Sequence, residues 1–260
     1  ELCKISIIVT LSKYVSDCMD KEGKFRGLGY IIKTTMYCAV PTVLVMMQPD
    51  FGTAFVFICI MVFIYFIGRI SWGYILTAAG GLAVCMPLAY YFVLSDSQRE
   101  RIDVFINPES DLQNSGYNVA QSKIAIGSGQ LTGKGFFSEG TLAQLRFVPE
   151  RHTDFIFAGI VEGLGFVGGT IIICLFFALI FRWIYIAMRT KDSFGTCLVV
   201  GVAGMFTAHV FENIGMTIGL MPVTGIPLPF ISYGGSNLLT NLIGVGIVEN
   251  VWMRRQSKKR

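Results

Sequence analysis

The sequence predicts an all-α polytopic membrane protein with seven transmembrane helices. Hydrophobic residues make up 53% of the 260 positions and charged residues only 15%, whereas soluble domains carry about a quarter charged residues. The mean hydropathy is +0.61. Residues 73–94 contain no charge, and residues 155–181 contain one ionisable side chain, Glu162. Because about 20 apolar residues cross the hydrocarbon core, both runs are long enough to span a bilayer.

Seven apolar segments account for the seven helices, in chain order. They cover residues 2–15, 34–48, 51–68, 73–94, 155–181, 194–218 and 237–253. Lys4 and Lys13 interrupt the first segment. Pro41 lies in the second, where a membrane helix tolerates it when neighbouring groups satisfy the freed carbonyl. We expect residues 1–260 to form a single integral membrane domain.

The charges of the short connections predict the orientation. Four basic residues lie between the first and second segments, three follow the fifth, and five close the chain after residue 253. The connections at 48–51 and 218–235 contain no Lys or Arg. Because basic residues accumulate on the cytoplasmic side, we expect the N-terminus outside and the C-terminus inside. The net charge of +4 is modest, and we expect no nucleic-acid partner.

Residues 95–153 form a 59-residue connection that we expect to be a large extracellular loop, and loops of this length are usually functional. Its stretch GSGQLTGKG (127–135) is similar to a phosphate-binding loop. It fails the Walker pattern, because Ser128 replaces the first glycine and Gly135 replaces the Ser or Thr that binds magnesium. We therefore expect no nucleotide site here. The seven cysteines contain no CxxC pair, which argues against a zinc site.

The stretch PERHTDFIF (149–157) gathers ionisable side chains directly before an apolar run. Asp154 has two compatible interpretations. As a helix cap, Thr153 or Asp154 would accept hydrogen bonds from the first amides of the helix. As a general base, the Asp154 carboxylate would face a substrate at the membrane surface.

Other polar positions lie within or beside the apolar segments. Glu162 follows Asp154 by about two helical turns, and a buried acid of this kind usually faces a polar cavity. Asp50, placed near Asp154, would create a two-carboxylate site for a cation. Gly159–Gly163 and Gly165–Gly169 have the GxxxG spacing of close helix contacts. Residues 222–236, with three prolines and three glycines, cannot be helical throughout.

Four motifs in order resemble the SEDS family (shape, elongation, division and sporulation proteins). They are QPDFGT (48–53), QSKIAIGSGQLTGKG (121–135), PERHTDFIF (149–157) and NIG followed by PVTGIPLPFISYGGS (213–236). Gln48, Lys123 and Arg151 make the chain most similar to the RodA branch rather than to FtsW. The resemblance implies a fold of ten transmembrane helices, of which this chain would supply the last seven and lack the first three.

The resemblance also implies an activity. The family members are peptidoglycan glycosyltransferases that polymerise lipid II into glycan strands during cell elongation and shape maintenance. They work in the bacterial cytoplasmic membrane with the active site on its outer face. A lipid II flippase and a non-catalytic membrane scaffold are the alternatives. Motif residues concentrated on the outer side favour the enzyme over a transporter, which would place charges through the whole membrane depth.

The resemblance and the chemistry together assign roles to single residues. Asp154 is expected to be catalytic, and a divalent cation, Mg²⁺ or Mn²⁺, to bind at Asp50 and Asp154. The expected partners are lipid II, a class B penicillin-binding transpeptidase and other membrane proteins of the elongation machinery. The residues expected to bind substrate are Arg99, Arg101, Lys123, Glu150, His152, Glu162, Ser232 and Tyr233.

Overall fold

The computed structural model describes residues 1–23, 25, 27–48, 50–71, 96–107, 115–135 and 153–257, and part of 73–91. Regular secondary structure in these ranges is α-helical, and each described residue between 73 and 91 has helical backbone. The helices are α1 (Leu2–Glu22), α2 (Leu28–Met46), α3 (Phe51–Ile67), α4 (Asp96–Ile106), α5 (Ser115–Ser128), α6 (Ile156–Arg189), α7 (Ser193–Ile218) and α8 (Gly235–Ser257).

The predicted apolar segments coincide with helices throughout the described ranges. Among the described residues, three helices are long and apolar enough to cross a membrane, namely α2, α6 and α7, and α3 is apolar but shorter, with 17 residues. The fourth predicted segment, 73–94, falls partly outside the described residues. Most of the central part of α7 is buried, whereas α2 and α6 expose most of theirs. An exposed apolar face of this kind suits contact with lipid or with another membrane helix.

The chain divides into two compact units. Unit 1 comprises Glu1–Asp96, Phe181–Ala208 and Leu239–Arg260, and unit 2 comprises Ser97–Ile180 and His209–Leu238. The helices α6 and α7 each contribute to both units. The prediction of a single membrane domain stays a prediction, because this division describes only how closely the segments pack.

Unit 1 is a helical bundle in which α1, α2 and α3 pack on one another. The buried face of α2 repeats every fourth residue at Thr34, Cys38 and Thr42, as the helical period requires. The Tyr65 hydroxyl of α3 lies 2.7 Å from the Thr34 hydroxyl and 2.9 Å from that of Thr35. These bonds satisfy polar groups that face other helices inside the bundle.

Unit 2 is built around the first part of α6 and the second part of α7. Its apolar core consists of Phe157, Val161, Phe176 and Leu228. The Ser122 hydroxyl of α5 donates a 2.7 Å hydrogen bond to the Thr217 carbonyl in the last turn of α7. Part of the predicted loop 95–153 is therefore helical, since α4 and α5 lie within it, and α5 is tied to a membrane helix.

The helix α6 is interrupted at Gly165, where φ is 72° and ψ is −174°. The segment 129–135 lies against this break, so closely that a Cβ at Gly133 would meet the Gly163 carbonyl. Both segments satisfy their main-chain groups through each other, which explains how the break is stabilised. Four hydrogen bonds join them: Lys134 N–H to Glu162 O (3.0 Å), Gly135 N–H to Gly163 O (2.9 Å), Phe166 N–H to Gln130 O (2.8 Å) and Val167 N–H to Leu131 O (3.2 Å).

This arrangement corrects the interpretation of the GxxxG spacings as helix-contact motifs. Gly165 breaks the helix instead of lining an uninterrupted face, and the glycines at 163 and 165 receive the 129–135 segment. The glycines of 127–135 thus serve close backbone packing. The irregular backbone expected at 222–236 is confirmed, because residues 219–234 between α7 and α8 are not helical.

Candidate active site

Asp154 lies in a turn formed by residues 153–155, directly before α6 begins at Ile156. Its side chain is half-buried, and a Cβ built on Gly225 would stand 3.5 Å from Asp154 Oδ2. Gly225 has a φ of 76°, a left-handed conformation that glycine adopts without strain. Gly225 therefore lies directly beside the Asp154 carboxylate.

Two polar side chains fix the main chain around Asp154. The fully buried Asn213 donates through Nδ2 to the Asp154 carbonyl at 2.8 Å and to the Ile226 carbonyl at 2.7 Å. The Ser232 hydroxyl donates to the Thr153 carbonyl at 2.6 Å and accepts from the Leu228 N–H at 2.8 Å. The turn at 153–155 is thereby attached to α7 and to the irregular segment 219–234. The Ser232 hydroxyl serves this attachment both as a donor and as an acceptor, so Ser232 helps to position the turn.

The aromatic ring that follows Asp154 connects this turn to α5. Phe155 is buried against Val119 and Val223. The same two valines line a small pocket with Arg101 of α4 and Lys123 of α5. Two of the cations expected to bind substrate therefore meet at one pocket, one layer of side chains away from the Asp154 turn.

This pocket is narrow. Its free space of about 20 Å³ holds roughly one water molecule. The Lys123 side chain lies against Gly219, where a Cβ would collide with it, so Gly219 provides the passage for the lysine stem. The pocket can receive one small anionic group, and a whole sugar would need it to open.

Glu162 is buried in the α6 segment before the break, with 1% of its side chain exposed. Its Oε1 lies 3.7 Å from Lys134 Nζ and 3.5 Å from the Ser128 hydroxyl. Because an unpaired buried carboxylate is costly, Lys134 compensates for part of its charge. Glu162 thus faces the 129–135 segment, and its expected contact with substrate stays a prediction.

Four predicted residues remain, namely Arg99, Tyr233, Glu150 and His152. Arg99 lies on α4, two residues before Arg101. Tyr233 has 82% of its surface exposed, at the end of the irregular segment. Glu150 and His152 lie outside the described residues.

The described residues do not supply a complete ligand set for the predicted cation site. Asp50 Oδ1 accepts a 3.0 Å hydrogen bond from the Thr53 N–H and caps α3. Asp50 belongs to unit 1 and Asp154 to unit 2. Within the described parts of the chain, no three His, Cys, Asp or Glu side chains gather as metal ligands do. The divalent cation stays a prediction, and no step below depends on it.

Sequence reasoning missed Asn213, Gly225 and Lys134 as functional residues. Asn213 stands in an otherwise apolar helix one residue after Glu212, and a polar amide in such a helix needs hydrogen-bond partners. That position could have indicated a contact with irregular backbone. Nothing local to the sequence shows that Gly225 faces Asp154 or that Lys134 reaches Glu162, because both contacts join distant segments.

Comparisons with known proteins show which family the chain belongs to. Residues 1–257 match the FtsW/RodA/SpoVE family of cell cycle proteins. The chain is 40% identical over 257 residues to peptidoglycan glycosyltransferase MrdB of Escherichia coli K12, covering 98% of this chain and 68% of that protein. It is 38% identical over 263 residues to stage V sporulation protein E of Bacillus subtilis, covering 96% and 67%. The chain thus spans about two thirds of the length of these relatives.

Solved structures show the same fold. A chain of a peptidoglycan synthase complex, described as coordinating polymerization and crosslinking, matches with a TM-score of 0.76 and 28% identity. That match covers 98% of this chain and 69% of the other. The rod shape determining protein RodA of Thermus thermophilus matches with a TM-score of 0.65 and 25% identity, covering 98% and 64%. The family match over nearly the full chain confirms the resemblance of the four motifs, and this multi-pass membrane protein belongs to the FtsW/RodA/SpoVE family.

Proposed function

We propose that this chain carries the polymerising site of a peptidoglycan glycosyltransferase, with Asp154 as the general base. One observation carries the proposal. Asn213 and Ser232 hold the carbonyls of residues 153 and 154 from two different segments, and this positions the main chain of Asp154, whose carboxylate lies beside Gly225. A helix cap alone needs no such attachment. The names of the relatives and the match to a peptidoglycan synthase complex support the same activity.

The proposed substrate is lipid II, a lipid-linked disaccharide pyrophosphate. A hydroxyl of the acceptor sugar attacks the anomeric carbon of the donor sugar. The new glycosidic bond forms while the bond from that carbon to the pyrophosphate oxygen breaks, and the lipid pyrophosphate leaves with the bonding electrons. Asp154 accepts the hydroxyl proton. Preorganised cations stabilise the negative charge that develops on such a leaving group. The proposed residues for this role are Arg101 and Lys123, and it supports the proposal that both line one pocket.

We further propose that this reaction takes place at the outer face of the membrane, beside a class B penicillin-binding transpeptidase. The alternating loop charges support the orientation. The match to a complex that coordinates polymerization and crosslinking supports the partner. Crosslinking consumes the glycan strands that polymerisation produces, so proximity of the two sites would shorten the path between them.

The test is Asp154→Asn in the purified protein, reconstituted in oriented vesicles and supplied with lipid II. Asn caps a helix about as well as Asp but cannot take the proton. We expect glycan synthesis to fall by at least about a hundredfold while the melting temperature stays unchanged. Glu249→Gln, the same chemical change at an exposed position of α8, should leave the rate intact. Near-normal polymerisation by Asp154→Asn would remove Asp154 as the base.

The same assay tests the other parts of the proposal. Polymerisation should occur only when lipid II is supplied on the outer side, and the transpeptidase should increase its rate or processivity. If the unsubstituted protein transports lipid II without polymerising it, the flippase replaces the enzyme. If adding the transpeptidase leaves the polymerisation rate and processivity unchanged, the proposed partnership is wrong.

A further inference from the structure

Unit 1 contains an open pocket of about 700 Å³ where α6 ends and α7 begins. Its walls come from the last turn of α6, the linker 190–192, the first turns of α7 and the end of α8. The lining residues are Met188, Arg189, Thr190, Lys191, Asp192, Phe194, Gly195, Leu198, Asn250, Val251 and Arg254. None of them belongs to unit 2 or to the proposed reaction.

Three cations converge on this pocket, namely Arg189, Lys191 and Arg254. Within the part of the chain that the structure describes, none of the three forms an ion pair. The one acid in the lining, Asp192, accepts a 2.9 Å hydrogen bond from the Gly195 N–H and so caps the start of α7. Three cations facing one acid give the pocket a net positive charge, and such a pocket attracts anions.

Part of the lining is apolar. It is formed by Met188, Phe194, Leu198 and Val251, and Met188 has 69% of its surface exposed. A free inorganic anion gains nothing from apolar walls. A molecule with an anionic head and an acyl chain fits both parts, because its charge can face the cations while its hydrocarbon covers the apolar side chains.

We propose that this pocket binds the phosphate-bearing headgroup of an anionic phospholipid of the cytoplasmic leaflet. The charge pattern of the loops places the α6–α7 linker and the C-terminal end of α8 on the cytoplasmic side. Anionic lipids give that leaflet a negative surface potential, and basic pockets between membrane helices bind their headgroups. The volume of about 700 Å³ lies within the usual 300–1,000 Å³ of ligand pockets and exceeds what a single inorganic phosphate fills.

The site has a structural consequence for unit 1. A bound headgroup bridges the end of α6, the start of α7 and the end of α8, which reduces the repulsion among the three cations. It also neighbours the aromatic contacts of Arg189 with Tyr185 and of Arg182 with Trp252, at 5.2 and 5.1 Å. These rings prefer the depth of the lipid headgroups.

The test measures lipid binding by the purified chain, without any activity assay. The chain is placed in nanodiscs of phosphatidylcholine with a minor fraction of labelled phosphatidylglycerol, and the lipid that stays with the protein is quantified. The variant replaces Arg189, Lys191 and Arg254 by Gln. Each cation near the membrane surface contributes about fivefold to binding of anionic lipid, so we expect the triple variant to lose at least tenfold in affinity. The matched control replaces Lys21, Lys33 and Arg69 by Gln, which removes three cations from the same predicted side but outside the pocket.

Each outcome decides the proposal. Loss in the triple variant with retention in the control supports it. Equal loss in both variants would mean a general surface effect and would overturn it, as would displacement of the labelled lipid by millimolar inorganic phosphate, which would identify a free-phosphate site. If the triple variant does not fold, Lys191→Gln alone serves the test. Its side chain makes no hydrogen bond among the described residues, and a loss smaller than about twofold would count against the pocket.

Discussion

Replacement of Asn213 by Ala tests how the proposed base is positioned. The side chain is fully buried and donates to two carbonyls, those of Asp154 and Ile226. Ala removes both donors and leaves both carbonyls without this partner. We expect Asn213→Ala to reduce stability and polymerisation together, although Asn213 touches no reacting atom in the proposed mechanism.

The structure sets the size of the effect. The Asp154 turn is half-buried, so water can partly replace the donor there and the loss is about 1 kcal/mol. Ile226 is buried, and leaving its carbonyl unsatisfied costs about 1–3 kcal/mol. Together the free energy of unfolding should fall by roughly 2–4 kcal/mol. For a chain of this size that corresponds to a melting temperature lower by roughly 4–16 °C.

The assay pairs thermal melting with lipid II polymerisation measured well below the melting temperature. A displacement of the Asp154 carboxylate by about 1 Å costs roughly a hundredfold in rate, and it should lower kcat more than it changes KM. Thr207→Ala is the control, because its hydroxyl bonds only the Ala203 carbonyl of the same helix. An Asn213→Ala protein with wild-type rate and melting temperature would refute this account of how Asp154 is positioned.

Two further predictions concern the glycine contacts and the cation. Gly133→Ala should destabilise the protein by roughly 2 kcal/mol or more, because Gly133 has a φ of 80° and a Cβ there would meet the Gly163 carbonyl. Gly127→Ala, with open space around it, should be neutral or slightly stabilising, and equal melting temperatures for both variants would contradict this packing. Mg²⁺ commonly binds one or two carboxylates together with substrate phosphates, so EDTA should suppress polymerisation and Mg²⁺ or Mn²⁺ should restore it. A rate insensitive to EDTA would exclude the cation.

The sequence predicts the membrane helices well and the contacts between distant segments poorly. The period and the length of an apolar run such as 194–218 are properties of the local sequence, and they predict a helix. The observed bounds of α7 agree with the predicted bounds to within one residue. The irregular segment after α7 can likewise be predicted from the local sequence, because prolines and glycines interrupt a helix in any tertiary context. The break at Gly165 is different. The conformation with a φ of 72° is stable because residues 129–135 form hydrogen bonds with the main-chain groups that the break leaves unpaired. No local sequence pattern predicts that residues 129–135 are the partner.

The candidate site shows the same difference. Asp154 is recognisable from its place before an apolar run and from the motif around it. The pairing of Glu162 with Lys134, and the pocket shared by Arg101 and Lys123, depend on how α4, α5 and 129–135 fold onto α6 and α7. When residues 95–153 are treated as one 59-residue loop, the sequence does not show which of these residues contact α6 and α7. Ser232 shows a further difficulty. Its hydroxyl group led to a prediction of substrate binding, whereas its hydrogen bonds in the structure indicate that it positions the Asp154 turn.

Irregular backbone inside a membrane protein creates the coupling between stability and activity at this site. Residues 219–234 are not helical, and their buried main-chain groups therefore need partners outside a regular helix. Asn213 and Ser232 satisfy the Ile226 carbonyl and the Leu228 N–H, and the same two side chains hold residues 153 and 154. Any change at these two positions therefore loosens the segment and displaces the carboxylate at once. Asn has nearly the same size as Asp and caps a helix about as well, so Asp154→Asn should lower activity alone. A variant pair in which Asn213→Ala loses both properties and Asp154→Asn loses only the rate is the pattern that this architecture requires.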